Sequence, residues 1–174
     1  MDNDTLLLIE QRFSAFADSF TGDDPLVSAN IQLKKDHSFY VREQADRILA
    51  KLDPSPPMRN MILCGALLHD AGRFPQFARY RTFHDGSSVD HGELGAQILE
   101  DSILRGVLSP DRSETLQQVI QNHNRKTLPH DLPSMAIEIL KVVRDADKLD
   151  ILRIMTDHFL TADRIDPSLV LHLP

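Results

Sequence analysis

Apolar positions recur at intervals of three and four along nearly the whole chain, and no stretch alternates as a half-buried strand would. Leu6, Ile9, Phe13, Phe16 and Phe20 form one stripe and predict a helix over about Asp4 to Phe20. Asp24-Pro25 supplies an N-cap and a proline at the first helical position. The helix it opens carries Leu33, Val41, Ala45, Ile48 and Leu52 on one stripe and stops at "DPSPP". A third helix runs from about Met58 to Ala71. The segment after it, "GRFPQFARYRTFHDGSSVD", is broken by Pro75 and Gly86 and reads as a loop with one short helix. Asp90 and Glu93 resemble a capping box that opens a helix to about Leu104. Ser109-Pro110 opens the next, to about Asn124, and Pro133 or Ser134 opens a long last helix through Leu160. The expected fold is all-α, about six to eight helices in one domain spanning residues 1–174.

Several polar groups interrupt these stripes. The third helix is apolar until it ends in "LLHDAGR", where His69 and Asp70 occupy positions that would suit leucines. His37 lies four residues from both Leu33 and Val41. His91 opens a helix whose inward face carries Leu94 and Ile98, and His123 follows Leu116, Val119 and Ile120 at helical steps. Asp147 falls on the Leu140, Val143, Ile151 and Ile154 stripe of the last helix. A lone histidine on an apolar stripe is ordinarily a satisfied core residue. Six such groups on five helices, two of them carboxylates, are hard to satisfy without a cation, because a buried carboxylate is rarely left unpaired.

The dipeptide His-Asp occurs three times among eight histidines and twenty aspartates, where about one would arise by chance, so it carries little alone. His84-Asp85 precedes Gly86 and two serines, and His130-Asp131 sits in "LPHDLP". Both read as turns. Only His69-Asp70 closes an apolar helix. His158 and His172 have no motif around them and read as ordinary polar residues.

Composition narrows the class. The formal net charge is −7 with no Lys/Arg block, which argues against a face built for long nucleic acid but leaves small anions open if a metal inverts the local field. Cys64 is the only cysteine, so there is neither a disulfide nor a thiolate zinc site, and a reducing, cytoplasmic location is expected. The start "MDNDTLLLIEQRF" lacks a signal-peptide pattern, and no segment reaches the ~18 apolar residues of a membrane span. The prolines of "DRIDPSLVLHLP" suggest a tail or the beginning of further structure.

Four histidines and two aspartates can hold two divalent ions if one carboxylate bridges them, and Asp70 is the natural bridge. Ions ~3.5–4 Å apart turn water into a nucleophile near neutral pH and stabilise charge on a phosphoryl oxygen. Mixed nitrogen and oxygen ligation suits Mn, Fe, Co, Ni or Zn better than Mg.

The order His37, His69-Asp70 in "LLHDAGR" and Asp147 in "RDADKLD", on a helical chain, resembles the HD-domain superfamily of metal-dependent phosphohydrolases. The likeness spans about residues 25–160, and His91 ("VDHGELG") and His123 ("QNHNR") look like the extra pair of its dinuclear members. The resemblance implies one ion on His37, His69, Asp70 and Asp147, and a second on Asp70, His91 and His123. It also implies a catalytic role for Asp70 as bridge and phosphate contacts for Arg73 and Lys148. Arg73 equally suits a helix C-cap, and Lys148 a solvated flank or a partner for Asp145. Arg125 and Lys126 are weaker phosphate candidates. The expected substrate is a small phosphorylated compound or nucleotide, with no membrane partner and with a homo-oligomer compatible. Two rival readings share the residues: a diiron oxygenase of the same fold, and a non-catalytic metal- or nucleotide-binding regulatory domain.

Overall fold

A computed structural model of the chain describes residues 1–161, with side chains to residue 157. The tail 162–174, with His172, and the side chain of His158 lie outside the described residues. Seven α-helices and no strand occur among the described residues: α1 Asn3–Asp18, α2 Pro25–Leu52, α3 Pro56–Leu68, α4 Arg73–Tyr80, α5 His91–Ser102, α6 Pro110–Asn122 and α7 Ser134–Thr161. The all-α expectation holds.

Every residue of α3 from Asn60 to Leu68 is buried, as suits a helix that is apolar all round. It packs against α1, α2, α6 and α7. The two 28-residue helices, α2 and α7, pack against each other, α5 lies on α6, and α4 bridges α2 and α5. An aromatic cluster fastens α1, α2 and α4 together. The Phe13 ring meets Phe39 and Phe74 edge-on with centroids 5.8 and 5.6 Å apart, and each such pair adds about 0.5–1.5 kcal/mol beyond area burial.

Capping follows the sequence closely. The Asp24 carboxylate accepts from the Leu26 N–H, and Pro25 holds the first helical position of α2. Asp90 accepts from the Glu93 N–H and starts α5. Helix ends and phases depart from expectation more often.

On α2 the buried residues are Val27, Ile31, His37, Ser38, Val41, Ala45 and Leu49, while Leu33 and Leu52 are exposed. Leu33 is two residues beyond Ile31, roughly 200° around the helix, and so faces away from α3 and α7. On α5 the inward residues are His91, Gly92, Gly95 and Leu99, with Leu94 and Ile98 only half-buried. The reason is backbone approach. A Cβ on Gly72 would lie 2.1 Å from the His91 carbonyl oxygen, and one on Gly95 would lie 2.9 Å from Ile120 Cγ2. Glycines therefore let α5 sit directly on α6 and on the turn after α3. On α7, Asp147, Ile151 and Ile154 are half-buried, and Ala146 and Asp150 take the innermost positions. The segment read as a loop with one short helix holds α4 and a 3-10 turn at Asp85–Ser87.

Candidate metal centre

Five helices each bring part of the centre. α2 carries His37, buried one turn before Val41. α3 stops at Leu68, three residues earlier than expected, and tighter turns follow, with Ala71 N–H on Leu68 O at 2.9 Å and Arg73 N–H on Asp70 O at 2.8 Å. That tightening turns His69 and Asp70 off the end of the helix into the interior, where both are buried. α6 ends in the same manner, with His123 as its C-cap. In both cases the ring folds back on its own helix. His69 Nδ1 lies 2.8 Å from Ala66 O and His123 Nδ1 lies 2.7 Å from Ile120 O, each a last-turn carbonyl three residues earlier. His91 is the first residue of α5, and Asp147 comes from α7.

The structure brings together all six predicted metal ligands. His37, His69 and Asp70 form one group, and Asp70, His91 and His123 another, with the ligand atoms of each within 4.8 Å of one another. Asp70 belongs to both because its two oxygens diverge. Oδ2 lies 3.7 Å from His37 Nε2 and 3.7 Å from His69 Nε2. Oδ1 lies 3.3 Å from His91 Nε2 and 3.7 Å from His123 Nε2. Asp147 closes the first group, with Oδ1 3.2 Å from His37 Nε2 and 3.6 Å from His69 Nε2.

The chemistry of this donor set fits divalent cations. Each imidazole uses Nδ1 outward on a group that only accepts: Asp150 for His37 at 2.8 Å, Ala66 O for His69, Asp85 for His91 at 2.7 Å and Ile120 O for His123. Nδ1 therefore carries the proton in all four, and a neutral ring then presents a lone pair at Nε2. These four Nε2 atoms converge. His37 and His69 come within 3.3 Å and His91 and His123 within 3.0 Å, with the Asp70 oxygens beside them. Acceptors facing acceptors at such distances repel unless a cation lies among them. Outward Nδ1 partners that fix tautomer and ring orientation are the usual frame of histidine metal ligands.

The electrostatics agree. Burial lowers the His91 pKa to about 4, against the opposing pull of Asp85 and Asp70, so His91 is neutral near pH 7. For His37 burial acts downward, but the neighbouring Asp147 and Asp150 carboxylates outweigh it and, with no cation among the ligands, raise the ring above its usual value. Burial alone would push the Asp70 carboxyl up, yet Lys34, His69 and Arg73 hold it well below the ordinary carboxylate range. Burial alone would push the Asp147 carboxyl up, yet the adjacent His37 and His69 rings hold it below that range. Both carboxylates are therefore ionised and ready to ligate.

The predicted phosphate contacts stand differently. Arg73 is engaged inside the protein. Its Nε lies 3.4 Å from Asp70 Oδ1, and its Nη1 donates to Asp85 Oδ1 at 2.8 Å, to Gln76 Oε1 at 2.9 Å and to the Phe83 carbonyl. Lys148 is exposed on α7, one residue beyond Asp147, and Asp145 is exposed as well. Arg125 pairs with Glu93 at 3.1 Å, and Lys126 is exposed.

Three residues not singled out from the sequence belong to the centre. Lys34 donates to Asp70 Oδ2 at 2.8 Å, Asp150 holds His37, and Asp85 holds His91. Asp85, read as a turn residue, does lie in a 3-10 turn, but its carboxylate faces inward and also accepts from the buried Gln76 at 2.9 Å. His84 and His130 are exposed, in keeping with their reading as turn residues.

Comparison with known proteins agrees with this geometry. The family model described as HD domain matches residues 35–152, a stretch that runs from just before His37 to just beyond Asp150. Comparison with curated proteins and with solved structures gave no significant match. No helix among the described residues is long and apolar enough to cross a membrane. With the match covering most of the chain, and the His-Asp pair at the point where both ligand groups meet, the chain belongs to the HD-domain family, a superfamily of metal-dependent phosphohydrolase type.

Proposed function

We propose that the chain hydrolyses a small phosphate ester or a nucleotide, with two divalent ions held by His37, His69, Asp70 and Asp147 on one side and by Asp70, His91 and His123 on the other. The observation that carries this reading is the convergence of four histidine Nε2 atoms on the divided oxygens of one ionised aspartate. Mn, Fe, Co, Ni or Zn suit such mixed ligation. A pair of such ions supplies a nucleophile from water near neutral pH and offsets negative charge developing on phosphoryl oxygens.

The chain's own contribution is preorganisation. Asp70 stays ionised and offers one oxygen to each half. Asp150, Asp85 and two last-turn carbonyls keep all four rings in the ligating tautomer. Arg73 joins the halves by facing both Asp70 and Asp85. Lys148, exposed beside Asp147, would meet the outer part of a substrate. A net charge of −7 without a basic block favours small anions drawn to the centre over long nucleic acid.

The test is metal content per chain and turnover over a phosphoester and nucleotide panel, for the native protein and for Asp70→Ala. About two ions per chain with hydrolysis is expected for the native protein, and loss of both together for the variant. An Asp70→Ala protein that still turns over refutes the assignment. Iron in both positions, with O2 uptake and no hydrolysis, would replace it with the oxygenase reading.

A further inference from the structure

Lys34 lies one turn before His37 on α2, and its ammonium sits 2.8 Å from Asp70 Oδ2. That oxygen faces His37 and His69. Among the described residues Asp70 is the carboxylate with which Lys34 pairs, whereas the neighbouring Lys35 turns away to Asp18. A divalent ion bound among His37, His69 and Asp70 sets its charge against the same oxygen that Lys34 neutralises. Two cations competing for one carboxylate oxygen repel, and the ammonium, on a flexible four-carbon stem, is the one that can leave.

Its surroundings say where it goes. Lys34 Nζ already lies 5.3 Å from the centre of the Phe83 ring, which packs on Phe77 with centroids 4.6 Å apart. An aromatic face holds a cation without neutralising it. Arg73 shares that ring at 6.0 Å but is tied to Asp85, Gln76 and the Phe83 carbonyl. Of these two cations, Lys34 has, among the described residues, one carboxylate to give up, whereas Arg73 faces two.

We infer that Lys34 is an anion-contacting residue of this site: loading with divalent cations releases its ammonium from Asp70 and presents it, over Phe83, to a phosphoryl group of the substrate. The inference rests on the phosphohydrolase reading and adds to it the residue that recognises the anion.

Amine acetylation read by mass spectrometry tests the first half. With exposed Lys51 as internal reference, Lys34 should react slowly in metal-free protein, several-fold faster once Mn(II) is bound, and slowly again when inorganic phosphate is added. Calorimetric titration of the Mn(II)-loaded protein with inorganic phosphate tests the second half. Lys34→Gln should weaken phosphate binding about tenfold to hundredfold, the worth of one charged hydrogen bond, with metal stoichiometry unchanged and with partial recovery in Lys34→Arg. Lys34 reactivity that ignores metal loading, or unchanged phosphate affinity in Lys34→Gln, overturns the inference and leaves the proposed function standing. A native protein that takes up no metal, or that binds metal but no phosphate, overturns both. If Lys34→Gln does not fold, the acetylation pattern of the native protein decides.

Discussion

Removing the Asp85 carboxylate should weaken one metal position and spare the other. Asp85 Oδ2 accepts from His91 Nδ1 at 2.7 Å, and Oδ1 accepts from Arg73 Nη1 at 2.8 Å and Gln76 Nε2 at 2.9 Å. Burial alone would raise the Asp85 carboxyl; the His91 hydrogen bond and the charge of Arg73 outweigh it, so it is ionised at neutral pH. In Asp85→Ala the His91 ring loses the acceptor that fixes its proton on Nδ1, and Nε2 is no longer held as a lone pair toward Asp70. Loss of such an outer partner costs about 10–100-fold in metal affinity. The Asp85 side chain is 32% exposed, so solvent screens part of its charge, and the lower end, about tenfold or roughly 1.4 kcal/mol, is expected. The assay is stepwise Co(II) titration of metal-free protein, following the visible absorption of each ion as it binds. Affinity should fall at the His91, His123 and Asp70 position and change less than about threefold at the other. Asp150→Ala, which removes the acceptor on His37 instead, should give the reverse pattern. Equal weakening of both positions by Asp85→Ala, or no weakening, would refute the claim that this carboxylate orients His91.

Two further predictions concern the frame. Gly72→Ala sets a methyl 2.1 Å from the His91 carbonyl oxygen, a backbone atom that cannot rotate aside, so the cost should reach the upper part of the ~1–3 kcal/mol typical of overpacking. A urea midpoint unchanged from the native protein would mean that α5 does not approach this closely. Ile31→Ala removes a fully buried side chain and should cost about 2–4 kcal/mol, while Leu33→Ala, at a position 43% exposed, should stay within about 0.5 kcal/mol. The opposite order in denaturant melts would show the phase of α2 to be wrong.

The candidate ligands are legible because each is a polar exception on an apolar stripe, and a stripe survives small errors of phase. The spacing to Leu33 and Val41 points His37 inward; Leu33 faces solvent, yet His37 is buried because Val41 is. The residues that hold the ligands carry weaker signals. Asp150 follows Ala146 by four and Val143 by seven, so the period that marks Asp147 also marks Asp150. Lys34 sits in "LKKDH", which has the look of a solvated charge run. Asp85 sits in "HDGSS", where turn chemistry explains every residue locally. Nothing within a few positions of Asp85 says that the chain will fold back and set its carboxylate on His91. That difference in legibility reflects a physical asymmetry between the two halves of the centre. His37 is oriented by a residue inside a 28-residue helix that packs along α2 and α3, whereas His91 is oriented from a 3-10 turn joined to the core through Arg73 and Gln76. A helix fixes a side chain more tightly than a loop does. The His91–His123 half is therefore the softer one, and substitutions between α4 and α5 should retune the second metal position without altering any ligand.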